Sequence, residues 1–188
     1  MLDTNLINKS ILHTQKVIST HVCTHGLVLL QDVLHNDLVE QLLDFANNNT
    51  KWEDVEYNGY IVKHRKKISW VTDGIIEVAH TVFESVTPEI STLLNKELIF
   101  MGVSLWKDTE GYSIGKHTDN PILKATAQIY LQNSPGLGTI FECNGKEITV
   151  NHSTNAGYLA DNTLKIPHWL NQKVPKNFER FSLHVMWE

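Results

Sequence analysis

The sequence predicts an α+β molecule with a mainly β core, and three observations carry the prediction. Up to about residue 97 the chain marks out helices with one apolar face each. From about residue 98 to 188 it marks out short strands separated by turn residues. Helices that precede the strands, rather than alternating with them, fit packing on one face of a mainly antiparallel sheet. Many short strands at this spacing point to a sandwich or jelly roll. The 188 residues contain no internal repeat, low-complexity tract or linker-like shift. They read as one domain over 1–188, with helical support over about 1–97 and a β core over about 98–188.

The elements follow in order. Gly26-Leu27-Val28-Leu29-Leu30 is a short apolar run suited to a buried strand. From Asn36 to Asn47, Leu38, Leu42 and Phe45 share a face, with Val39, Leu43 and Ala46 beside them, which is helical spacing. Trp52 to Trp70 reads as extended, with a turn at Asn58-Gly59 and the dense basic run Lys63-His64-Arg65-Lys66-Lys67. That run is either a solvated strand or a rim that attracts an acidic partner. Asp73 is a suitable N-cap for a helix bearing Ile75, Ile76, Ala79, Val82, Phe83 and Val86, and Thr87-Pro88 opens a second short helix. Strands are expected at Leu98–Trp106, Ala125–Gln132, Thr139–Cys143, Glu147–Val150, Ala156–Asp161, His168–Val174 and Phe181–Trp187.

Composition excludes several classes. A net charge of −5 argues against sequence-independent nucleic-acid binding, which depends on a basic surface. Cys23 and Cys143 are far apart and lack metal-type spacing, so no disulfide framework is expected. The first residues lack a basic region followed by an apolar run, and no segment has the length of a membrane span. A cytoplasmic, soluble protein is the expectation.

Two His-x-Asp pairs carry candidate chemistry. His35 and Asp37 fall at a helix start, where residues two apart diverge by roughly 200° and cannot converge on a metal. His117 and Asp119, read as strand, project to one face. An imidazole beside a carboxylate supplies two of the three ligands of a mononuclear non-haem iron site. Alternation in the last strand sets Phe181, Leu183, Val185 and Trp187 against Arg180, Ser182 and His184. In Thr126–Gln132 it sets Ala127, Ile129 and Leu131 against Thr126, Gln128, Tyr130 and Gln132. One face suits the helices; the polar face is either solvated or lines a cavity whose groups need partners or ligand.

These motifs occur in an order that resembles the Fe(II)- and 2-oxoglutarate-dependent oxygenases, in particular their prolyl-hydroxylase-like branch. His117-Thr118-Asp119-Asn120-Pro121, preceded by Tyr112, resembles the metal motif. Tyr130-Leu131-Gln132, Gly138-Thr139-Ile140-Phe141, Gly157-Tyr158-Leu159, His168-Trp169 and Arg180-Phe181-Ser182-Leu183 resemble the segments that follow. The resemblance implies a double-stranded β-helix with His117, Asp119 and His168 as catalytic metal ligands for Fe(II). It implies 2-oxoglutarate as co-substrate, its distal carboxylate on Arg180 aided by Ser182 and Tyr130. It also implies dioxygen as oxidant, with succinate and CO2 released as an organic substrate (a prolyl or other amino-acid residue, a peptide, a protein or a small molecule) is hydroxylated. A planar guanidinium suits a carboxylate because two parallel donors meet both oxygens. The glycine that often precedes the anchor residue is absent; Phe178-Glu179 stand there instead. Among the other histidines, His152 lies in a turn-like stretch and reads as a surface residue. His184 shares the polar face with Arg180, either near the metal or as a satisfied barrel histidine. His13, His21, His25, His64 and His80 are assigned no metal role. Two alternatives stand beside this reading: a catalytically silent β-barrel that binds a peptide or small ligand, and a nucleic-acid base oxidase or dealkylase using Lys63–Lys67.

Overall fold

The computed structural model describes residues 3–57, 59–69, 74–120 and 122–188. Its larger sheet has seven antiparallel strands. In sheet order they are β1 (Leu27–Leu30), β8 (Ala156–Asp161), β5 (Ala125–Tyr130), β10 (Arg180–Trp187), β4 (Phe100–Asp108), β3 (Tyr60–Ser69) and β2 (Glu53–Tyr57). The smaller sheet runs β7 (Lys146–Asn151), β6 (Gly138–Cys143) and β9 (His168–Leu170). A single bridge between His168 and His117 carries its pairing one step further. The mainly β core and the jelly-roll arrangement are as the sequence predicts.

Four helices, α1 (Thr4–Ser19), α2 (Asn36–Asn48), α3 (Gly74–Ser85) and α4 (Thr87–Leu94), cover one face of the larger sheet. Alternation along β10 decides which face. Phe181, Leu183, Val185 and Trp187 are buried in the main apolar cluster with Ala127 and Ile129 of β5, Val103 and Leu105 of β4, and Ile68 of β3. Leu38, Val39 and Leu42 of α2 and Ile76, Ala79, Val82 and Phe83 of α3 close over them. Trp187 is fully buried, and its Nε1 donates to Thr87 Oγ1 at 3.0 Å, so its one polar atom is satisfied. On the opposite face, Leu27, Tyr130, Tyr158 and Ala160 of the larger sheet meet Phe141, Cys143 and Val150 of the smaller one. Arg180, Ser182 and His184 are therefore held between the sheets.

Several expectations shift. α1 is not marked by apolar periodicity, because two of its four buried positions are Ser10 and Thr14. Asp3 caps it, its carboxylate accepting from the amides of Asn5 and Leu6, and Thr14 Oγ1 donates to Val33 O at 2.9 Å. The ninth strand ends at Leu170 rather than Val174. His35 is the N-cap of α2, and Asp37 in its first turn pairs with Lys9, so this His-x-Asp is a helix start. The proposed cap Asp73 and the residues Trp70, Asn58 and Pro121 lie outside the described residues. Both cysteines are free thiols.

Candidate metal centre and anion cradle

His117 and Asp119 do not form a regular strand. Only His117 pairs, its amide donating to His168 O at 3.0 Å while the His168 amide donates to His117 O at 2.8 Å. This bridge brings two histidines 51 positions apart side by side, their rings inclined by 53° with centroids 4.3 Å apart. Asp119 lies in the irregular segment that follows, and its Oδ1 sits 3.6 Å from Nε2 of each histidine. The ligand atoms of His117, Asp119 and His168 all lie within 4.8 Å of one another.

The donor set fits a divalent transition metal on three counts. Asp119 Oδ1, 3.6 Å from each Nε2, can share an ion with either histidine at about 2.1 Å from each atom. Each ring has its Nδ1 against a backbone carbonyl, Gly115 O at 2.9 Å for His117 and Ile166 O at 3.1 Å for His168. Nδ1 therefore carries the proton and Nε2 offers its lone pair to the shared point. The other carboxylate oxygen of Asp119, Oδ2, accepts from Thr126 Oγ1 at 3.1 Å. Two imidazoles and one carboxylate on one side suit Fe(II) with open positions opposite.

Charge at this point follows from burial and neighbours. The Asp119 carboxylate holds His117 above its ordinary value, against the burial that lowers it. Burial lowers His168, with Asp119 opposing in part. Burial acts to raise Asp119, but His117, His168, His184 and Thr126 outweigh it and bring the group to about 2. His184 faces the same space and stacks on Trp106 at 4.0 Å between centroids, and burial takes it down to about 4.

Level with one another on three adjacent strands stand Arg65, Asp108 and Arg180. Arg180 is 1% exposed and Asp108 is wholly buried. Nε of Arg180 donates to Asp108 Oδ2 at 2.9 Å, as does its Nη2, while Nη1 lies 3.1 Å from Nδ1 of His152. Arg65 donates from Nε to Oδ1 at 2.5 Å and from Nη2 to Oδ2 at 2.9 Å. Asp108 remains ionised: burial would raise it, but Arg180 and Arg65 pull it down. Around the cluster the groups are neutral. Burial brings His152 to about 2, helped by Arg180, and pushes Tyr112 and Tyr130 up to about 12. Two guanidinium groups and one carboxylate leave a net charge of +1 inside the barrel.

Hydroxyls line the same space. Tyr158 OH donates to Gln128 Oε1 at 3.0 Å, which fixes the amide so that Nε2 donates to Ser182 Oγ at 2.9 Å. Ser182 keeps its own hydrogen for an acceptor. Tyr130 OH is 2.9 Å from Thr139 Oγ1, which reaches His152 Nε2 at 3.1 Å. The arrangement thus places a three-ligand point and a positively charged, hydroxyl-lined cradle in one barrel.

Of the residues singled out from sequence, His117, Asp119 and His168 meet at one point, and Arg180, Ser182 and Tyr130 share the inner face. His152 corrects the sequence reading: it is 3% exposed and holds Arg180, not a surface residue. Its segment is irregular, but its amide donates to Leu137 O, which turns the ring inward. Asp108 was not foreseen at all. Its signal was parity, since it follows Ser104 and Trp106 on the face that bears the site. The basic run is split likewise, with Arg65 inward and buried while Lys63, His64 and Lys66 are exposed. Among the described residues, no helix is long and apolar enough to cross a membrane.

No family model matches the sequence, and no curated protein matches it. Solved structures do. A prolyl hydroxylase from Trichoplax adhaerens, in complex with a hypoxia inducible factor oxygen degradation domain peptide fragment, has TM-score 0.72 at 13% identity over 98% of this chain and 93% of that one. A prolyl-4-hydroxylase from Pseudomonas putida gives 0.66 at 15% identity, covering 95% and 98%. HygX from Streptomyces hygroscopicus, with nickel, 2-oxoglutarate and hygromycin B bound, gives 0.64 at 10% identity, covering 93% and 85%. The likeness is one of fold: this chain has the double-stranded β-helix of the 2-oxoglutarate, Fe(II) oxygenases, prolyl hydroxylases among them.

Proposed function

We propose that the protein is a non-haem Fe(II)- and 2-oxoglutarate-dependent dioxygenase that hydroxylates an organic substrate, a peptide or a small molecule, releasing succinate and CO2. The observation that carries the reading is the pairing of a His117, Asp119, His168 donor set with a buried cradle of net positive charge on the same inner face. His117, Asp119 and His168 would hold the iron, which supplies dioxygen activation when bound. Arg180 would bind the distal carboxylate of 2-oxoglutarate through the hydrogens that Asp108 and His152 leave free, with Ser182 and Tyr130 adding hydroxyl contacts. Thr126 would keep Asp119 turned to the metal, and the Trp106–His184 stack would wall the site and exclude water. The base-oxidase alternative loses support, because Arg65 of the basic run points inward and Lys66 lies 3.6 Å from Asp54.

The test starts with anaerobic protein, Fe(II) and 2-oxoglutarate. Fe(II)-dependent 2-oxoglutarate binding, followed by succinate formation when air is admitted, is expected. Asp119→Ala should abolish both. Arg180→Ala should weaken 2-oxoglutarate binding on the order of 100-fold, since it removes both the anchor and the excess positive charge of the cradle. A wild-type protein that binds neither Fe(II) nor 2-oxoglutarate would return the reading to a silent ligand-binding barrel.

A further inference from the structure

Arg65 comes from β3, in the half of the chain expected to be helical support, yet it is 8% exposed. Its guanidinium lies 4.2 Å from the ring centre of Trp106 and 4.0 Å from that of Tyr112. It meets both oxygens of Asp108, the carboxylate that also holds Arg180. Among the described residues, no other carboxylate hydrogen-bonds to either guanidinium.

An Arg180–Asp108 pair alone is neutral overall. A carboxylate brought to Arg180 would be repelled by Asp108 nearly as much as it is attracted, and it would still lose its water. Arg65 changes that sum. It offsets the charge of Asp108, so Asp108 can orient the Arg180 fork while the cluster keeps one positive charge. We infer that Arg65 is a positioning residue for anion binding, the charge that lets Arg180 act on the distal carboxylate of the co-substrate. The inference rests on the function proposed above. It makes Arg65, Asp108 and Arg180 one unit whose affinity follows net charge rather than the number of contacts.

That dependence separates a charge role from a packing role. Binding is read anaerobically on the Fe(II)-loaded 188-residue chain, with 2-oxoglutarate and with 2-oxobutanoate, which has the same chelating end but no distal carboxylate. Arg65→Met should weaken 2-oxoglutarate about tenfold or more and leave 2-oxobutanoate within about twofold. The double variant Arg65→Met/Asp108→Asn, which restores the +1 count, should recover most of the lost affinity. An unchanged Kd in Arg65→Met, equal losses for both ligands, or a double variant no better than the single would each overturn the inference. Should Arg65→Met not fold, Arg65→Lys and Arg65→Gln read the same quantity, since only the lysine keeps the charge; equal affinities would overturn it. If the wild type binds neither 2-oxo acid with Fe(II), the underlying functional reading fails and this inference with it. Wild-type binding with an indifferent Arg65 leaves that reading standing.

Discussion

Asp119 can present one oxygen to both histidines because its other oxygen is engaged. Thr126 Oγ1 holds Oδ2 at 3.1 Å and also touches Asn162 Oδ1 at 3.2 Å. Thr126→Val keeps the shape and removes the hydroxyl, so the carboxylate is freed to rotate. Metal affinity should fall about 10–100-fold, as for other groups that orient a ligand. Titration with Mn(II) or Fe(II) checks this, and an unchanged Kd would show that packing alone aims Asp119. At this scale the types of the candidate site residues were legible, since imidazole, carboxylate and guanidinium are recognisable wherever they stand. Their partners were not. Nothing in the turn-like stretch Asn151–Asn155 says that His152 ends against Arg180, because that contact is made across the barrel.

Between elements, the closest constraint is the approach of β8 to β5. A Cβ added to Gly157 would stand 1.8 Å from the carbonyl oxygen of Gln128, on a backbone that cannot yield without parting the two strands. Gly157→Ala should cost about 3 kcal/mol or more, at the upper end of overpacking effects. Urea denaturation reads it as a lower midpoint with an unchanged slope. Since Gln128 joins Tyr158 to Ser182, the same variant should also weaken 2-oxoglutarate binding. Wild-type stability would mean that the strands can separate at low cost. β10 was the most legible element: its period of two sets an apolar row against a polar one, and the apolar row falls in the core as the alternation requires. α1 was the least legible, because Ser10 and Thr14 sit on its buried face.

For the molecule as a whole, the histidines set the response to acid. His152, His184 and His168 are depressed in the folded state, His152 to about 2 and His184 to about 4, against an ordinary 6.5. The unfolded chain therefore binds more protons than the folded one below pH 6.5, and stability falls as pH drops from there toward 4. His117 acts in the opposite sense. Its folded value is raised, so its contribution is complete below 6.5 and is lost as pH rises through that raised value. Asp119, at about 2 against 3.8, contributes above 3.8 and loses its contribution as pH falls toward 2. Metal-free protein should thus be most stable slightly above pH 6.5, and its unfolding at pH 5 should take up about two protons at His152 and His184, with a further share at His168 and at His80, which burial also lowers. Denaturation across pH 4.5 to 8 tests this, and a flat profile below 6.5 would contradict it. Metal must displace the proton of His117, so metal affinity should rise with pH up to the raised value.

The sequence by itself determined the mainly β core, the helices on one sheet face and the polar row that opposes the apolar one on β5 and β10. These follow from local periodicity, which a side chain obeys whatever its distant neighbours. It also supplied the residue types of the candidate iron site, in an order that resembles a known set. Only the tertiary structure decided how charges combine. Arg65, Asp108 and Arg180 are separated by 43 and 72 positions and become one cluster because three strands set them level. That register depends on the whole sheet, so no local pattern could announce that a basic run on β3 would lend its arginine to a site at the other end of the chain.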